Sequence, residues 1–318
     1  MSEREITAIE LASGRFVPIA QGPIIVIVNA GAGAALSDPT GLSDSIGRML
    51  TEAGREAQIR LVPPDELGAA VATAAASRPG LIIAAGGDGT ARTTAAHLVG
   101  SDIALGVLPL GTVNRLANDL GMPQQLAAAI AAILDGERIR MDVGRLNGRI
   151  FLNNSLLGLP IEVLDARQRL RGRPWRERAL GALAVAWRVM RHRNRFDAEI
   201  EGIAGRFRVR AMSIAISNNA YEERPHIPHL RSVLDGNELV LYVSTHDVGW
   251  KLVRSFVRSL AGRWSDDASV EVHRMPGLTL HSSRAKVRVT VDGEIETVDT
   301  PLVYAIEPKA LSVVRARS

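Results

Sequence analysis

The stretch Leu81-Ile-Ile-Ala-Ala-Gly86-Gly87-Asp88-Gly89-Thr90 determines the fold that this sequence predicts. Its apolar start is typical of a buried strand, and a helix is predicted from Thr90 to Leu98. Glycines allow backbone N–H groups to approach a ligand closely, and a helix N-terminus carries a partial positive charge. The stretch therefore predicts a phosphate-binding turn, with Asp88 available to a metal or to ribose hydroxyls. The alternative is a tight strand-to-helix turn that binds nothing.

Strands and helices alternate around this stretch. The predicted strands are 24–28, 58–62, 81–85 and 104–108, and the predicted helices are 66–76, 90–98, 112–120 and 123–135. This alternation is typical of a parallel sheet with crossover helices. We expect an α/β domain at 22–142, and the sequence leaves open whether 301–318 completes it.

The pattern changes after Asp142. Strands are predicted at 148–157, 196–203, 206–217, 237–244, 278–282, 286–291 and 294–298, with helices across 161–195 and 247–262. Consecutive strands without regular crossover helices indicate antiparallel pairing. We therefore expect a β-rich second domain with antiparallel strands at 143–300.

Three further segments could carry chemistry. The first, Leu108-Pro-Leu-Gly111-Thr112-Val-Asn114-Arg115, follows a predicted strand, and its Thr and Asn side chains could bind a nucleotide. Thr112 could equally be a helix N-cap. Asp235-Gly236 and Asp292-Gly293 are typical of hairpin turns. Their functional alternatives are a Mg²⁺ ligand at Asp235 and a general base at Asp292.

Composition excludes several classes of function. The 318 residues carry a net charge of +4 and contain no cysteine, which rules out disulfides and thiolate nucleophiles. No apolar stretch approaches the ~20 residues that a membrane-spanning helix needs. The N-terminal residues lack the apolar region of a signal peptide. We therefore expect a cytoplasmic protein with an anionic partner, on the inner face of the membrane if it binds there.

The four motifs, in this order, resemble those of the diacylglycerol kinase catalytic-domain family, which includes sphingosine and ceramide kinases. The resemblance runs from about Pro23 to Pro308, and Phe151-Leu-Asn-Asn-Ser-Leu-Leu-Gly158 is similar to the family segment that opens the second domain. It implies an ATP-dependent lipid kinase with an ATP site between a Rossmann-like nucleotide-binding domain at 22–142 and an antiparallel β-sandwich at 143–300 that binds the lipid substrate. The residues implied to bind ATP are Asn29, Gly86, Gly87, Asp88, Gly89, Thr90, Gly111, Thr112 and Asn114. It further implies Asp292 and Glu294 as catalytic residues and Asp235 as a Mg²⁺ ligand.

This chain departs from the family pattern in places. Asn29-Ala30-Gly31-Ala32-Gly33 replaces the usual Asn-Pro-x-Ser-Gly. Val113 and Arg115 replace a Gly and an Asp beside the motif asparagine, and Ser232 stands where bacterial relatives often have an acid. Two alternative functions therefore stay open, a kinase of a soluble metabolite such as NAD or a sugar phosphate, and a non-catalytic lipid-binding relative.

Residues 167–195 contain ten arginines with Trp175 and Trp187 among them. A basic amphipathic helix with Trp is suited to a lipid headgroup region. The same pattern fits a helix that packs on its own domain with its arginines in solvent. A lipid substrate at a membrane surface is the expected partner, nucleic acid is not, and a homodimer is left open.

Overall fold

The computed structural model describes residues 22–317 apart from 34, 36, 170–173, 178–180, 182–183, 185–194, 204, 223–229 and 246–269. The helix predicted at 247–262 and most of the arginine-rich segment therefore lie outside the described residues. The chain divides into two units, Met1–Met141 with Lys309–Ser318, and Asp142–Pro308.

The N-terminal unit is built on a parallel sheet in the order β2-β1-β3-β4. Its strands are β1 Ile24–Asn29, β2 Ala57–Val62, β3 Leu81–Gly86 and β4 Ala104–Pro109. Its helices are α1 Pro39–Glu52, α2 Leu67–Ala76, α3 Asp88–Leu98, α4 Arg115–Asp119 and α5 Leu126–Asp135. The far end of β16 (Leu302–Arg315) adds to this sheet, where Val313 pairs in parallel with Leu105. The predicted α/β architecture is confirmed.

Apolar sequence on both faces explains why the central strands of this sheet are buried. Every residue of β3 and of β4 is buried, as are the first five residues of β1. Parallel pairing brings the carboxyl ends of these strands to one edge of the sheet, with Val28 opposite Ala85 and Gly86 opposite Pro109. The turns that follow β1, β3 and β4 therefore start at the same edge.

The C-terminal unit contains two antiparallel sheets. Its elements are the end of β5 (Glu137–Leu146), β6 Arg149–Phe151, β7 Asn154–Gly158, α6 Leu159–Arg169, β8 Phe196–Gly202, β9 Gly205–Ala211, β10 Ser213–Asn218, β11 Leu239–Ser244, β12 Val270–Met275, β13 Gly277–His281, β14 Lys286–Val291, β15 Glu294–Asp299 and the start of β16. One sheet has the order β12-β11-β10-β7-β14-β15, and the other contains β16-β13-β8-β9. Buried residues of both sheets, such as Leu157, Val289, Ile200 and Leu280, form one apolar core. The predicted β-sandwich is confirmed.

The structure divides two segments that the sequence predicted as single strands. The segment predicted at 206–217 is β9 and β10, which belong to different sheets and meet at Met212. The backbone N–H of Met212 donates to Ser244 and its carbonyl accepts from Leu159, so both of its backbone groups are used at the change of sheet. The segment predicted at 148–157 is divided between β6 and β7. Strands β5 and β12 were not predicted.

Within the part of the chain that the structure describes, no helix has both the length and the apolar character needed to cross a membrane.

Candidate functional site

The candidate region of the N-terminal unit begins with the turn from β3 into α3. Gly87 takes the N-cap position in an extended conformation, and Asp88 is the first residue of the helix. A Cβ built on Gly86 would overlap the side chain of Thr90, so a larger residue cannot occupy this position without displacing the helix. Because the N-cap residue is glycine, it makes no side-chain cap hydrogen bond to the backbone N–H groups at the start of α3.

Thr90 connects this turn to the end of β1. Its side chain is buried, and its hydroxyl accepts a hydrogen bond of 2.9 Å from the amide nitrogen of Asn29. The Asn29 side-chain oxygen in turn accepts from the backbone N–H of Gly31 at 2.9 Å. The segment Asn29–Gly33 lacks the Pro and the Ser of the family pattern. Its asparagine nevertheless connects the turn after β1 to the turn from β3 into α3.

The turn that follows β4 packs against the turn from β3 into α3. A Cβ on Gly111 would be 2.5 Å from the Cα of Gly87, and a Cβ on Gly87 would be 3.3 Å from the Cα of Gly111. The two backbones are in direct contact, which only glycine permits at Gly111. Leu110 also donates its backbone N–H to the Gly86 carbonyl at 3.0 Å. Two of the predicted motifs are thus brought together at the carboxyl edge of the sheet.

The Asn114 side chain holds the turn around Gly111 through hydrogen bonds to both backbone groups of that glycine. The Asn114 side chain accepts from the Gly111 N–H at 2.9 Å and donates to the Gly111 carbonyl at 3.0 Å. Its amide nitrogen also donates to the Gln124 side chain at 3.1 Å. Asn114 is buried with a φ of 53°, a left-handed conformation that asparagine adopts more readily than most residues. These contacts account for the asparagine without a ligand.

The helix after this turn begins later than predicted. The sequence predicted a helix from residue 112 with Thr112 as a candidate N-cap, whereas α4 begins at Arg115 and Asn114 precedes it. Thr112 is exposed within the turn. The physical reason is the left-handed backbone of Asn114, which cannot continue a right-handed helix. The backbone N–H of Leu116 lies 3.4 Å from the Asp88 carboxylate, so Asp88 faces the start of α4.

The candidate region of the C-terminal unit is the β14–β15 hairpin. Val291 pairs with Glu294, and the two residues between them have positive φ values, 50° at Asp292 and 91° at Gly293. Positive φ at both central positions is the geometry of a type I′ turn, for which Asp-Gly is a preferred pair. The hairpin expected from this pair is therefore present.

The Asp292 side chain is held more tightly than a turn requires. Its carboxylate accepts three backbone N–H groups, from Leu152 at 2.8 Å, Asn153 at 2.7 Å and Asn154 at 3.1 Å. Its own N–H donates to the Asn154 carbonyl at 2.9 Å, and only 8% of the residue is exposed. This explains why β6 and β7 are separate strands, because the backbone between them turns its N–H groups toward the carboxylate.

The other two predicted acidic residues lie in more open positions. Glu294 is exposed at the first position of β15. Asp235 is exposed just before Gly236, whereas its neighbour Leu234 is buried and accepts the N–H of Asp142 at 2.7 Å. Among the described residues, no three His, Cys, Asp or Glu side chains group closely enough to hold a metal. Mg²⁺ usually needs only one or two carboxylates beside phosphate oxygens and waters, so a single carboxylate such as that of Asp88 or Asp235 fits that chemistry.

A buried polar cluster around this hairpin was not predicted from the sequence. We call it the asparagine cluster; its members are Asp142, Asn153, Asn154, Asn218, Asn219, Arg231 and Asp292, each less than a tenth exposed. The Asn218 amide donates to the carbonyls of Asp142 at 2.8 Å and Leu152 at 3.0 Å. The Asp142 carboxylate accepts from the Asn219 amide at 3.1 Å and from the Asn237 N–H at 2.7 Å. The adjacent asparagines, Asn153-Asn154 and Asn218-Asn219, were the one feature of the sequence that pointed to this cluster, because buried side-chain amides require hydrogen-bond partners.

Two tyrosines stack beside the asparagine cluster. The rings of Tyr221 and Tyr242 are 5.5 Å apart, and the Tyr221 hydroxyl accepts from the Asn154 amide at 2.6 Å. Burial raises the pKa of the Tyr242 phenol, so its hydroxyl stays protonated over the physiological range. Its hydroxyl oxygen accepts the backbone N–H of Tyr221 at 3.2 Å.

Comparison with known proteins confirms the resemblance to the diacylglycerol kinase family. Residues 23–146 match the family model of the diacylglycerol kinase catalytic domain. A Pseudomonas aeruginosa protein named probable lipid kinase YegS-like is 38% identical over 115 residues, 35% of this chain and 38% of that protein. A Staphylococcus epidermidis diacylglycerol kinase is 40% identical over 75 residues, 23% of this chain and 24% of that enzyme. The matched regions thus span well under half of these two relatives.

The likeness in fold extends further along the chain. A solved structure of a diacylglycerol kinase from Bacillus anthracis has a TM-score of 0.68 and 19% sequence identity, and the match covers 93% of this chain and 98% of that one. The overall architecture of this chain is therefore that of the Bacillus anthracis protein.

Proposed function

We propose that this chain is an ATP-dependent lipid kinase that transfers the γ-phosphate of ATP to a hydroxyl of a diacylglycerol- or sphingoid-type lipid. The observation that carries the proposal is the contact between the Gly87 and Gly111 backbones at the carboxyl edge of a parallel sheet. A Cβ at Gly111 would overlap the Gly87 backbone, so glycine lets the two turns pack together at this edge. The glycines at 86–89 and the N-terminus of α3 suit a ligand that approaches the backbone, as phosphate does. The match to the family model includes both turns and supports the same conclusion.

In this proposal the N-terminal unit binds ATP. The residues assigned to it are Asn29, Gly86, Gly87, Asp88, Gly89, Thr90, Gly111, Thr112 and Asn114. The turn 86–90 provides backbone N–H groups at the start of α3, Asn29 and Asn114 hold the turns in shape, and the Thr112 hydroxyl is exposed to a ligand. Mg²⁺, bound through Asp235 or Asp88 and the phosphates, would neutralise phosphate charge.

In the proposed chemical step, the proton acceptor is Asp292 of the C-terminal unit. As the lipid hydroxyl oxygen forms a bond to the γ-phosphorus, the bond from that phosphorus to the β-phosphate oxygen breaks and ADP leaves. The hydroxyl proton passes to the Asp292 carboxylate. Glu294 of the same hairpin is assigned as the second catalytic acidic residue. The three backbone donors fix the orientation of Asp292, which favours a single geometry of attack.

A membrane surface is the proposed source of the lipid. Trp175 is 73% exposed, and the Arg176 guanidinium lies 5.7 Å from its ring. An exposed Trp beside arginines suits the headgroup region of an anionic bilayer.

The test measures phosphate transfer from labelled ATP–Mg²⁺ to lipids in mixed micelles. The panel contains diacylglycerol, monoacylglycerol, sphinganine, ceramide and phosphatidylglycerol, with NAD and a sugar phosphate as soluble acceptors. Wild type is compared with Asp292→Asn and with Asp299→Asn, which makes the same change at an exposed position of the same hairpin. Loss of a general base lowers turnover by roughly 10²- to 10⁴-fold.

We expect one labelled lipid with wild type and with Asp299→Asn, and its loss with Asp292→Asn. ATP affinity and thermal unfolding, measured for each variant, separate a chemical defect from a folding defect. Turnover by Asp292→Asn within tenfold of wild type would show that Asp292 is not the base. A wild type that binds ATP and labels only NAD, only the sugar phosphate or nothing would overturn the lipid kinase proposal.

A further inference from the structure

Arg231 is the largest side chain in the described structure that is fully buried, with 0% of its surface exposed. Arginine is almost never fully buried unless its charge is paired and its N–H groups are satisfied. None of the sequence motifs includes it, and the proposed reaction has not used it.

Three hydrogen bonds of Arg231 converge on two strand ends. One guanidinium nitrogen donates to the carbonyls of Leu152 at 2.7 Å and Asn218 at 2.6 Å. The other donates to the side-chain oxygen of Asn153 at 2.7 Å. Two of these acceptors, Leu152 and Asn153, thus belong to the short segment between β6 and β7.

That same segment holds Asp292. The N–H groups of residues 152–154 point to the Asp292 carboxylate, while the Leu152 carbonyl and the Asn153 side chain point to Arg231. Each peptide is planar and rigid, so fixing a carbonyl also fixes the direction of the N–H in the same peptide. The Leu152 carbonyl and the Asn153 N–H share one peptide, which couples Arg231 directly to one of the donors on Asp292.

The energetics do not favour a purely stabilising role for this arginine. Burial of a guanidinium removes it from water at a cost that its contacts often only balance, and well-packed apolar residues frequently stabilise a core as well or better. A planar fork does provide what an apolar residue cannot, namely several donors in a fixed geometry. The arrangement is therefore better suited to orienting a segment than to strengthening the core.

We infer that Arg231 is a positioning residue, which orients the 152–154 segment so that its N–H groups hold the Asp292 carboxylate in place. The inference deepens the proposed function and rests on it where catalysis is concerned. Its structural part, the coupling between Arg231 and the N–H groups on Asp292, does not depend on the reaction.

The structural part is tested by amide hydrogen exchange in the full-length protein. The variants are Arg231→Met, Arg231→Lys and, as the matched control, Arg208→Met on β9, whose side chain is 87% exposed. We expect protection of the 152–154 amides to fall at least tenfold in Arg231→Met, less in Arg231→Lys and not at all in the control. Amides of β13 in the same C-terminal unit should keep their protection, and their loss would indicate general unfolding of that unit. Unchanged 152–154 protection in Arg231→Met would overturn the inference, whatever the enzyme does.

The catalytic part is tested by kinetics on the lipid identified in the panel. We expect Arg231→Met to lower kcat by about 10- to 100-fold with the KM for ATP unchanged, and Arg231→Lys to restore part of that loss. Combined with Asp292→Asn, the Arg231→Met change should have almost no further effect, because both act through one carboxylate. Multiplied losses in the double variant would contradict positioning of Asp292.

If Arg231→Met folds poorly, Asn153→Ala replaces it in both experiments. That variant removes one acceptor of Arg231 but keeps every backbone donor on Asp292. We expect it to reduce 152–154 protection and kcat in the same direction, and wild-type values of both would overturn the inference. If wild type phosphorylates none of the acceptors, the proposed function fails, and the exchange experiment still decides whether Arg231 holds the segment.

Discussion

Replacement of Gly111 by Ala tests most directly whether close contact between the turns at 86–90 and 111–114 is needed for the proposed binding of ATP. The added Cβ would lie 2.5 Å from the Cα of Gly87 and 2.7 Å from the side-chain oxygen of Asn114. Carbon atoms in good contact are about 3.5–4.0 Å apart, so the two turns would have to separate by roughly 1 Å. Neither obstacle can rotate away easily, because one is backbone and the other is fixed by hydrogen bonds to Gly111 itself.

The expected magnitude follows from the cost of overpacking. An added methyl group in a filled space costs about 1–3 kcal/mol. If that cost appears wholly in ligand binding, the Kd for ATP rises by about 5- to 150-fold. If it appears in folding, the unfolding temperature falls and ATP affinity changes less.

The assay is therefore a pair of measurements, ATP binding by calorimetry and thermal unfolding by circular dichroism. The matched control is Gly47→Ala in the middle of α1, where the new Cβ would meet Ile59 at an ordinary 3.5 Å. The control should bind ATP as wild type does and gain about 0.5–1 kcal/mol of stability, because alanine favours helix. A Gly111→Ala protein with wild-type ATP affinity and wild-type stability would refute the argument from close backbone contact.

Two further predictions concern the C-terminal unit. Asp235→Asn should raise the Mg²⁺ concentration needed for half-maximal lipid phosphorylation by several-fold while Asp299→Asn leaves it unchanged; identical Mg²⁺ titrations in all three proteins would remove Asp235 from the metal site. Burial raises the pKa of the Tyr242 and Tyr304 phenols above the ordinary value near 10. Both therefore contribute stability that is complete below about pH 10 and is lost as the pH rises toward their higher folded values. Phenolate absorbance and circular dichroism should consequently show these two residues ionising together with alkaline unfolding, and their ionisation in a protein with native dichroism would contradict the burial argument.

Much of the fold could be predicted because its signals are local. The apolar runs at 24–28, 81–85 and 104–108 became β1, β3 and β4 with bounds that differ by one residue at the carboxyl end. The alternating segment at 286–291 matches β14. Predictions were less accurate where a non-local contact acts on the backbone, as at 148–157, where the Asp292 carboxylate lies about 140 residues away in sequence and separates two strands.

The candidate site was predicted in part for the same reason. Glycines between a buried strand and a helix reveal a close backbone approach without any partner being known, so the turns at 86–90 and 111–114 were identified. Asp142 and Arg231 gave no such signal, because a charged residue in a loop is expected to face solvent. Their burial depends on the acceptors and donors that other parts of the chain provide.

By itself the sequence determined most strands and helices of the N-terminal unit, many strands of the C-terminal unit, which turns hold glycine next to a buried strand, and which family the motifs resemble. These properties depend on the residues within one short segment, namely apolar periodicity and glycine at positions of close contact. Only the tertiary structure decided that the Gly87 and Gly111 backbones touch, that Asn114 supports its own turn, and that residues 152–154 lie between Asp292 and Arg231. These contacts join residues distant in sequence, and their geometry is set by the packing of whole sheets, which no local pattern encodes.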